Sequence, residues 1–361
     1  MKQRVLMVVM WMAIQGMAAA QDSTAKKSPF SFSAYADVYA GYDFTKPASQ
    51  NRPSFIYNFN RDREFTVNLA YAKAAYDGGR VRANLALAAG TYMNANYAAE
   101  PATLQHLLEA NIGVKLSKKK NLWLDLGIMP SHIGFESAVG KDNWTLTRSL
   151  LAENSPYFES GAKLSYGSDD GKWNAAVLAL NGWQRITRVP GNTLLSGGAQ
   201  LSFKPTFTVT LNYSNFIGTD KPDSNRLIRI YHNFYGIFQM SSAWGLTAGF
   251  DLGTEQQQPG QSGTNTWYSP VVILRYTPSA QWAFAARGEY FSDPNQVIIG
   301  TGTPNGFKTF GASINADWWV IPNAVLRVEY RWLQSKDAIF VKNNNVQQGN
   351  QGLTFTAAVS F

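Results

Sequence analysis

Two short segments carry the clearest pattern of charged residues. Arg287 and Glu289 are separated by one residue, and so are Arg327, Glu329 and Arg331. Alternate residues of a β-strand lie on one face, about 6–7 Å apart, so each set would form a row of charges. Rows of fixed charges select ions where a pore is narrow. We therefore expect these five residues, called the charged ladder below, to line the constriction of a channel with their side chains in water.

Other kinds of chemistry find less support in the residue pattern. His106, His132 and His232 are the only histidines, and there is no cysteine. Neither a His-x-His nor a Glu-x-x-His spacing occurs, so we predict no metal site, no cofactor and no enzymatic activity. Because a Ser-His-acid triad is recognised by geometry rather than by spacing, a membrane-embedded hydrolase is kept as an alternative.

The first twenty residues differ from the rest of the chain. Lys2 and Arg4 precede an apolar run at 5–14, and three alanines follow at 18–20. This layout is typical of a secretory signal peptide, and the run is shorter than the roughly 20 residues of a membrane-spanning helix. We predict a cleaved signal peptide at 1–20, a short periplasmic segment at 21–31 and a single domain at 32–361.

The composition excludes several classes of protein. Aromatic residues make up 14% of the chain and charged residues 16%, yet the mean hydropathy is −0.22. No further apolar run is long enough for a transmembrane helix. The net charge is +8, but no nucleic-acid-binding signature accompanies it, so we expect no nucleic-acid partner.

Most of the chain alternates apolar and polar residues with a period of two, which is typical of strands with one apolar and one polar face. At the carboxyl end, Leu353, Phe355, Ala357, Val359 and Phe361 share one face. The predicted strands are 32–44, 62–76, 81–93, 108–117, 121–130, 158–166, 173–183, 194–204, 206–216, 226–239, 244–254, 266–276, 281–292, 307–320, 324–333 and 352–361. The alternation is poor in 173–183, 226–239 and 266–276, and the last of these contains Pro270.

The connections between these segments alternate between long and short. Long loops such as 45–61 and 131–157 are followed by brief turns, here 77–80 and 167–172. Transmembrane barrels have short periplasmic turns and longer extracellular loops, and aromatic residues at both membrane interfaces. The fold class predicted is all-β: a transmembrane, antiparallel, up-and-down β-barrel of about sixteen strands, with the final strand paired to the first.

In such a barrel the polar face lines the lumen. Acidic and basic residues are nearly balanced on that face, so we expect weak discrimination between cations and anions. Lys73 falls on the apolar face and is expected to extend its ammonium to the membrane interface. The longest loop, 131–157, either folds into the channel, where Glu136 and Asp142 would face the charged ladder, or covers the outer surface.

Several motifs support a resemblance to a known family. The stretches GIMPSHIGFES, NWTLTRSLLAENSPYFESGAKLSY and LALNGW, within 127–183, resemble the OmpL-like β-barrel porin family. A terminal Phe361 on an alternating strand is similar to the assembly signal of bacterial outer-membrane barrels. The resemblance implies a pore in the outer membrane of a Gram-negative bacterium, inserted by the barrel-assembly machinery.

We therefore predict an outer-membrane porin for passive diffusion of small hydrophilic solutes and ions. The expected partners are outer-membrane lipid, the solutes, the assembly machinery and, in an oligomer, further copies of the chain. The alternatives are an outer-membrane barrel hydrolase and a secreted, soluble, glycan-binding β-protein.

Overall fold

Sixteen antiparallel strands pair in chain order, and the last pairs with the first to close a barrel. The structure is a computed structural model that describes residues 28–342 and 345–361. The predicted signal peptide at 1–20, and 21–27 of the predicted periplasmic segment, lie outside the described residues. The predicted fold class is confirmed, and each of the sixteen predicted segments overlaps one barrel strand.

The barrel strands are β1 Phe30–Asp43, β2 Phe65–Asp77, β3 Val81–Ala89, β4 Leu107–Lys115, β5 Asn121–Pro130, β6 Phe158–Gly167, β7 Trp173–Leu180, β8 Ser196–Thr206, β9 Val209–Gly218, β10 Arg229–Gln239, β11 Trp244–Gln256, β12 Thr264–Tyr276, β13 Trp282–Asp293, β14 Phe307–Ile321, β15 Ala324–Ser335 and β18 Gly349–Ser360. Strands β16 Phe340–Lys342 and β17 Asn345–Gln347 form a small hairpin outside the barrel, in its last loop. Short helices span Thr91–Asn96 and Leu150–Glu153, and 3-10 turns span Gly140–Asp142 and Asp223–Asn225. None of the helices described is long and apolar enough to cross a membrane.

The seam between the first and last strands is fully paired. Tyr35 lies opposite Ser360, and Asp43 lies opposite Gly352. Beyond the end of β18, the Phe361 amide donates to the Ala34 carbonyl at 2.9 Å, and the Ala34 amide donates to the Phe361 carbonyl at 3.2 Å. Closure leaves no unpaired sheet edge, which is the condition for strands to cross a bilayer.

The two faces of the sheet are inverted relative to a soluble protein. Leu85, Ile112 and Ile314 are 49%, 60% and 64% exposed on the outer face, whereas Arg287 and Glu329 are buried inside. A soluble barrel would turn its apolar face inward. The alternative of a soluble glycan-binding protein is therefore wrong on this arrangement.

Aromatic pairs bracket the outer face at both ends. Near the short turns, Trp282 stacks on Trp318 with ring centroids 6.0 Å apart, and Trp244 stacks on Tyr276 at 4.6 Å. At the opposite end the pairs are Tyr42–Phe44, Tyr268–Tyr290 and Phe310–Trp332. Such belts are expected at the two interfaces of a bilayer.

A bulge in β2 changes which face Lys73 occupies. One extra residue, Asn68, lies opposite the step between Asp37 and Val38 of β1. An added residue reverses the inside–outside alternation for the rest of the strand. Lys73 therefore faces the lumen, where its Nζ lies 2.8 Å from the Glu109 carboxylate. The prediction that Lys73 faces lipid is wrong for this reason.

Apolar side chains point inward from the three strands whose alternation was poor. Leu178 and Leu180 of β7, Tyr231 of β10, and Trp267 and Ile273 of β12 are all buried. They pack against residues of the loops, so apolar side chains occur on both faces of these strands.

Pro270 is accommodated within β12. It has no amide hydrogen to give to the Tyr290 carbonyl, which lies across from it on β13. The Ser269 hydroxyl donates to that carbonyl instead, at 2.8 Å.

Candidate functional site

The longest loop, residues 131–157, crosses the lumen and is called the strap. It leaves β5 and reaches β10, where the Gly134 amide donates to Asn233 Oδ1 at 3.1 Å. It then approaches β1 so closely at Gly140 that a Cβ there would lie 2.9 Å from Asp37 Oδ2 and from Tyr35 Oη. Of the two paths left open by the sequence, the strap takes the one inside the barrel.

The strap is bound to the wall formed by β13, β14 and β15. Backbone amides of the strap donate to wall side chains, and wall arginines donate to strap carbonyls. These bonds are Leu146 N to Asn315 Oδ1 at 3.0 Å, Thr147 N to Glu329 Oε2 at 2.5 Å, Leu150 N to Glu289 Oε2 at 2.5 Å, Arg287 Nη1 to Thr147 O at 2.7 Å and Arg327 Nη1 to Gly140 O at 2.7 Å. The charged ladder is thus the surface on which the strap lies.

The ladder residues are buried beneath the strap, and each of them forms an ion pair. Arg287 Nη2 lies 2.9 Å from Glu329, and Arg331 Nη2 lies 2.8 Å from Glu289. Arg327 Nε lies 2.6 Å from Asp317. Arg327 and Arg331 are only 4% and 6% exposed, so the expectation that their side chains lie in water is wrong. The sequence could not reveal that the strap covers the ladder, because the strap residues are at least 130 positions away along the chain.

The two acidic residues predicted to face the ladder have different surroundings. Glu136 accepts hydrogen bonds from the Ser149 amide and hydroxyl. Burial raises the pKa of the Glu136 carboxyl, and the nearby Arg287 guanidinium partly offsets this rise. Asp142 is instead half-exposed and paired with Lys141 at 2.9 Å. Glu136 therefore lies near the ladder, and Asp142 points into open space.

The first turn of the strap is held by a buried histidine. His132 Nδ1 lies 2.8 Å from Glu159 Oε1, and Nε2 lies 2.7 Å from the Asn215 carbonyl. Because both ring nitrogens face acceptors, both bonds form only when the ring is an imidazolium. Burial alone lowers the pKa of His132, but the Glu159 carboxylate outweighs burial and leaves it above its ordinary value.

The end of the strap is held by a buried carboxylate. Ser149 caps the short helix Leu150–Glu153 by accepting a hydrogen bond from the Ala152 amide. Glu153 then accepts bonds from the Tyr57 and Asn58 amides at 2.8 and 3.1 Å, which fixes loop 45–61 over the strap. Burial raises the pKa of Glu153 to about 7, although these bonds act in the opposite direction.

Open space remains on the side of the strap away from the ladder. A cavity of about 280 Å³ lies between the strap and the wall of β4 and β5, and Glu109 and Glu136 are among its lining residues. At the outer end, a polar hollow of about 300 Å³ lies among the loops, next to Glu153, Trp183 and Arg229. The strap therefore divides the lumen into a filled side and an open side.

Each histidine ring bonds to a carbonyl, a tyrosine hydroxyl or a carboxylate. His106 Nδ1 lies 3.3 Å from the Ala88 carbonyl, and His232 Nδ1 lies 2.9 Å from the Tyr213 hydroxyl. His132 is engaged by Glu159, as described above. In the part of the chain that the structure describes, no serine hydroxyl bonds to a histidine ring and no group of three metal-binding side chains occurs.

Reasoning from the sequence overlooked the residues that bind the strap at its ends. The sequence offers His132 only for a metal site or a catalytic triad, and neither predicts a bond to Glu159. A signal was available in GIMPSHIGFES, the motif that carries the family resemblance, since it contains both His132 and Glu136. The motif-rich segment 127–183 includes the whole strap.

Comparisons with known proteins agree with this architecture. The family model described as Putative beta-barrel porin-2, OmpL-like matches residues 29–361. No curated protein matches the sequence.

Several solved structures share the fold at low sequence identity. The anion-selective porin from Comamonas acidovorans has a TM-score of 0.61 at 10% identity, over 93% of this chain and 100% of that chain. The trimer form of in-vitro-folded OmpT from Vibrio cholerae gives 0.58 at 8%, over 92% and 99%. The outer membrane channel DcaP of Acinetobacter baumannii gives 0.56 at 10%, over 92% and 97%. At these identities the likeness establishes the fold alone.

Proposed function

Because the chain belongs to the OmpL-like β-barrel porin family, we propose that it lets small hydrophilic solutes and ions diffuse across the outer membrane without a chemical step. The observation that carries the proposal is the division of the lumen by the strap. A barrel of sixteen strands is too wide to be filled by its own side chains. The strap fills one side and leaves a cavity of about 280 Å³ on the other, which suits small solutes and excludes large ones.

We place the route along the wall of β2 to β6. Lys73 and Glu109, and Arg82 and Asp125, form ion pairs on this wall, and the side chains of Lys73 and Arg82 are 25% and 36% exposed. The ladder on the opposite wall is buried. Its proposed part in the constriction is therefore indirect: it holds the strap that narrows the passage.

Conductance of the refolded protein in planar bilayers tests the proposal. Stepwise, ohmic currents are expected, together with the absence of lipase activity on outer-membrane phospholipid. Hydrolysis without conductance would favour the alternative of a barrel hydrolase.

The route can be tested separately because the chain contains no cysteine. Glu109→Cys places a thiol on the open side, and a charged thiol reagent should reduce its current. Ser313→Cys is the matched control, since Ser313 is on β14, 5% exposed and covered by the strap. Block of Ser313→Cys alone would place the route on the ladder side.

The remaining parts of the proposal concern processing and partners. We propose cleavage of residues 1–20, which sequencing of the mature amino terminus checks. We also propose contact with outer-membrane lipid through the exposed apolar face, insertion by the barrel-assembly machinery, and a homo-oligomer. Cross-linking in outer-membrane fractions tests the last, for which the trimer form of the Vibrio cholerae neighbour is the support.

A further inference from the structure

The inward-facing bases differ in whether an acid neutralises them. Most inward-facing bases have an acid within ion-pair distance. The pairs on the periplasmic half and the strap are Lys73–Glu109 at 2.8 Å, Arg82–Asp125 at 2.6 Å, Arg327–Asp317 at 2.6 Å and Lys141–Asp142 at 2.9 Å. Each of these pairs contributes little net field to the passage.

Lys115 of β4, Lys163 of β6 and Arg275 of β12 have no such partner among the described residues. No hydrogen bond from their side chains to another group is formed in that part of the chain. The Arg275 guanidinium lies 5.9 Å from the ring centre of Trp144 in the strap, and Lys163 lies opposite Asp125, whose carboxylate is held by Arg82.

The strand register places all three side chains in the lumen. Lys115 lies opposite Trp123, a buried residue whose ring contacts Arg82. Lys163 lies opposite Asp125 on the neighbouring strand and shares its inward face. Residues directly opposite in an antiparallel pair point to the same side of the sheet.

The three bases also lie at the same end of the barrel. Lys115 is the last residue of β4, and Arg275 is the residue before the end of β12. Lys163 lies in the second half of β6. All three strands run toward the short turns, so the unpaired positive charges gather in the periplasmic half of the lumen.

From this arrangement we infer that the periplasmic half of the lumen is an anion filter formed by Lys115, Lys163 and Arg275. Charges of one sign in a confined passage with low-dielectric walls concentrate mobile ions of the opposite sign. The solutes favoured are small anions, both inorganic ions and carboxylates. This inference rests on the proposed function, and it replaces the weak discrimination expected from counting lumenal charges without their partners.

Reversal potentials in a potassium chloride gradient test the filter. Wild-type channels should pass chloride in preference to potassium. The variant Lys115→Gln/Lys163→Gln/Arg275→Gln should bring the chloride-to-potassium permeability ratio close to one. A thermal unfolding curve of each variant verifies that the barrel is intact.

A control with the same change in net charge separates the lumen from the surface. Lys118, Lys119 and Lys172 are exposed on the periplasmic turns, and Lys118→Gln/Lys119→Gln/Lys172→Gln also removes three positive charges. Measured at about 1 M salt, where the Debye length is about 3 Å, these turn charges should be screened and the ratio should stay at the wild-type value.

The outcomes distinguish this inference from the proposed function. Conducting wild-type channels that prefer potassium, or a triple lumenal variant with an unchanged ratio, would overturn the anion filter and leave the porin intact. Absence of conductance from a folded barrel would overturn the porin itself.

Discussion

Glu329 shows how a single buried carboxylate joins the strap to the barrel. It accepts hydrogen bonds from the Thr147 amide, the Thr147 hydroxyl and Arg287 Nη2. Removing one partner of a buried ion pair leaves the other charge poorly compensated, which is far more costly than replacing the pair as a whole. The stability of the strap therefore depends on each charge of the ladder having its partner.

Glu329→Ala should lower the free energy of unfolding by about 3–5 kcal/mol, because Arg287 and the strap lose a shared acceptor. It should also raise single-channel conductance, since the strap is released on that side. Urea unfolding in lipid vesicles and bilayer recording measure the two effects.

The control is Glu64→Ala, which removes a carboxylate paired with Arg61 at 2.7 Å in an exposed loop. Solvent screens this pair, so the change in stability should be small. Comparable losses in both variants would contradict the anchoring role of Glu329.

The His132 imidazolium makes stability depend on pH. Its pKa is raised in the folded state, so its contribution is fully present below the ordinary value of 6.5 and is lost as pH rises through the raised pKa. Relative to wild type, His132→Gln should be less stable by about 1.5–3 kcal/mol at low pH, the usual contribution of a buried hydrogen bond to a charged group. The deficit should shrink at alkaline pH.

Thermal unfolding across this pH range measures the difference. His106→Gln serves as the control, because His106 is exposed and bonds to a backbone carbonyl through one nitrogen. A deficit of His132→Gln that stays constant with pH would mean that the ring is neutral throughout.

The strands themselves were largely predictable. Successive side chains of a strand point to lipid and to the lumen in turn, and this alternation can be read from neighbouring residues of the sequence. The exceptions have structural causes that the alternation of residues does not show. The bulge at Asn68 moves Lys73 to the other face. Strand β12 was poorly phased because Trp267 and Ile273 contact entering loops as if they belonged to a soluble core.

The course of the strap was not predictable for a different reason. Thr147 and Glu329 are 182 residues apart, and a hydrogen bond at that separation leaves no periodic trace in the sequence. The ladder could be found as an alternating row of charges, but its burial could not. Whether such a row of charges faces water or another segment depends on which residues pack against it in the folded barrel.

Neighbouring residues of β3 allow the two faces of one strand to be compared. Leu85 is 49% exposed on the outer face, whereas Asn84 faces the lumen and donates to Asn111 Oδ1 at 3.0 Å. Leu85→Arg should cost about 2–4 kcal/mol of barrel stability near the bilayer midplane, and Asn84→Arg should cost much less. Urea unfolding in bilayers checks both, and equal penalties would contradict the assignment of faces in β3.

At the scale of the whole molecule, the carboxyl terminus has two separable properties. The Phe361 backbone extends the seam with Ala34, and its ring is 76% exposed on the outer face. We keep the prediction that the ring is an assembly signal. Phe361→Ser retains the backbone bonds, so it should lower the amount of inserted barrel without changing the stability of barrel that has formed.

Heat-modifiable migration in outer-membrane fractions measures the inserted amount, and unfolding of the purified protein measures stability. Deletion of Phe361 should reduce both quantities, because the backbone bonds are lost as well. Normal insertion of Phe361→Ser would show that the ring serves only the membrane interface.

The attachment of the strap to β13, β14 and β15 also sets an order of events during biogenesis. These strands are made near the end of translation, whereas the strap follows the fifth strand. Until the late strands arrive, the strap lacks the acceptors to which Leu146, Thr147 and Leu150 donate. The strap can therefore settle only after β13, β14 and β15 have formed, so the narrowing of the lumen is among the last steps of assembly.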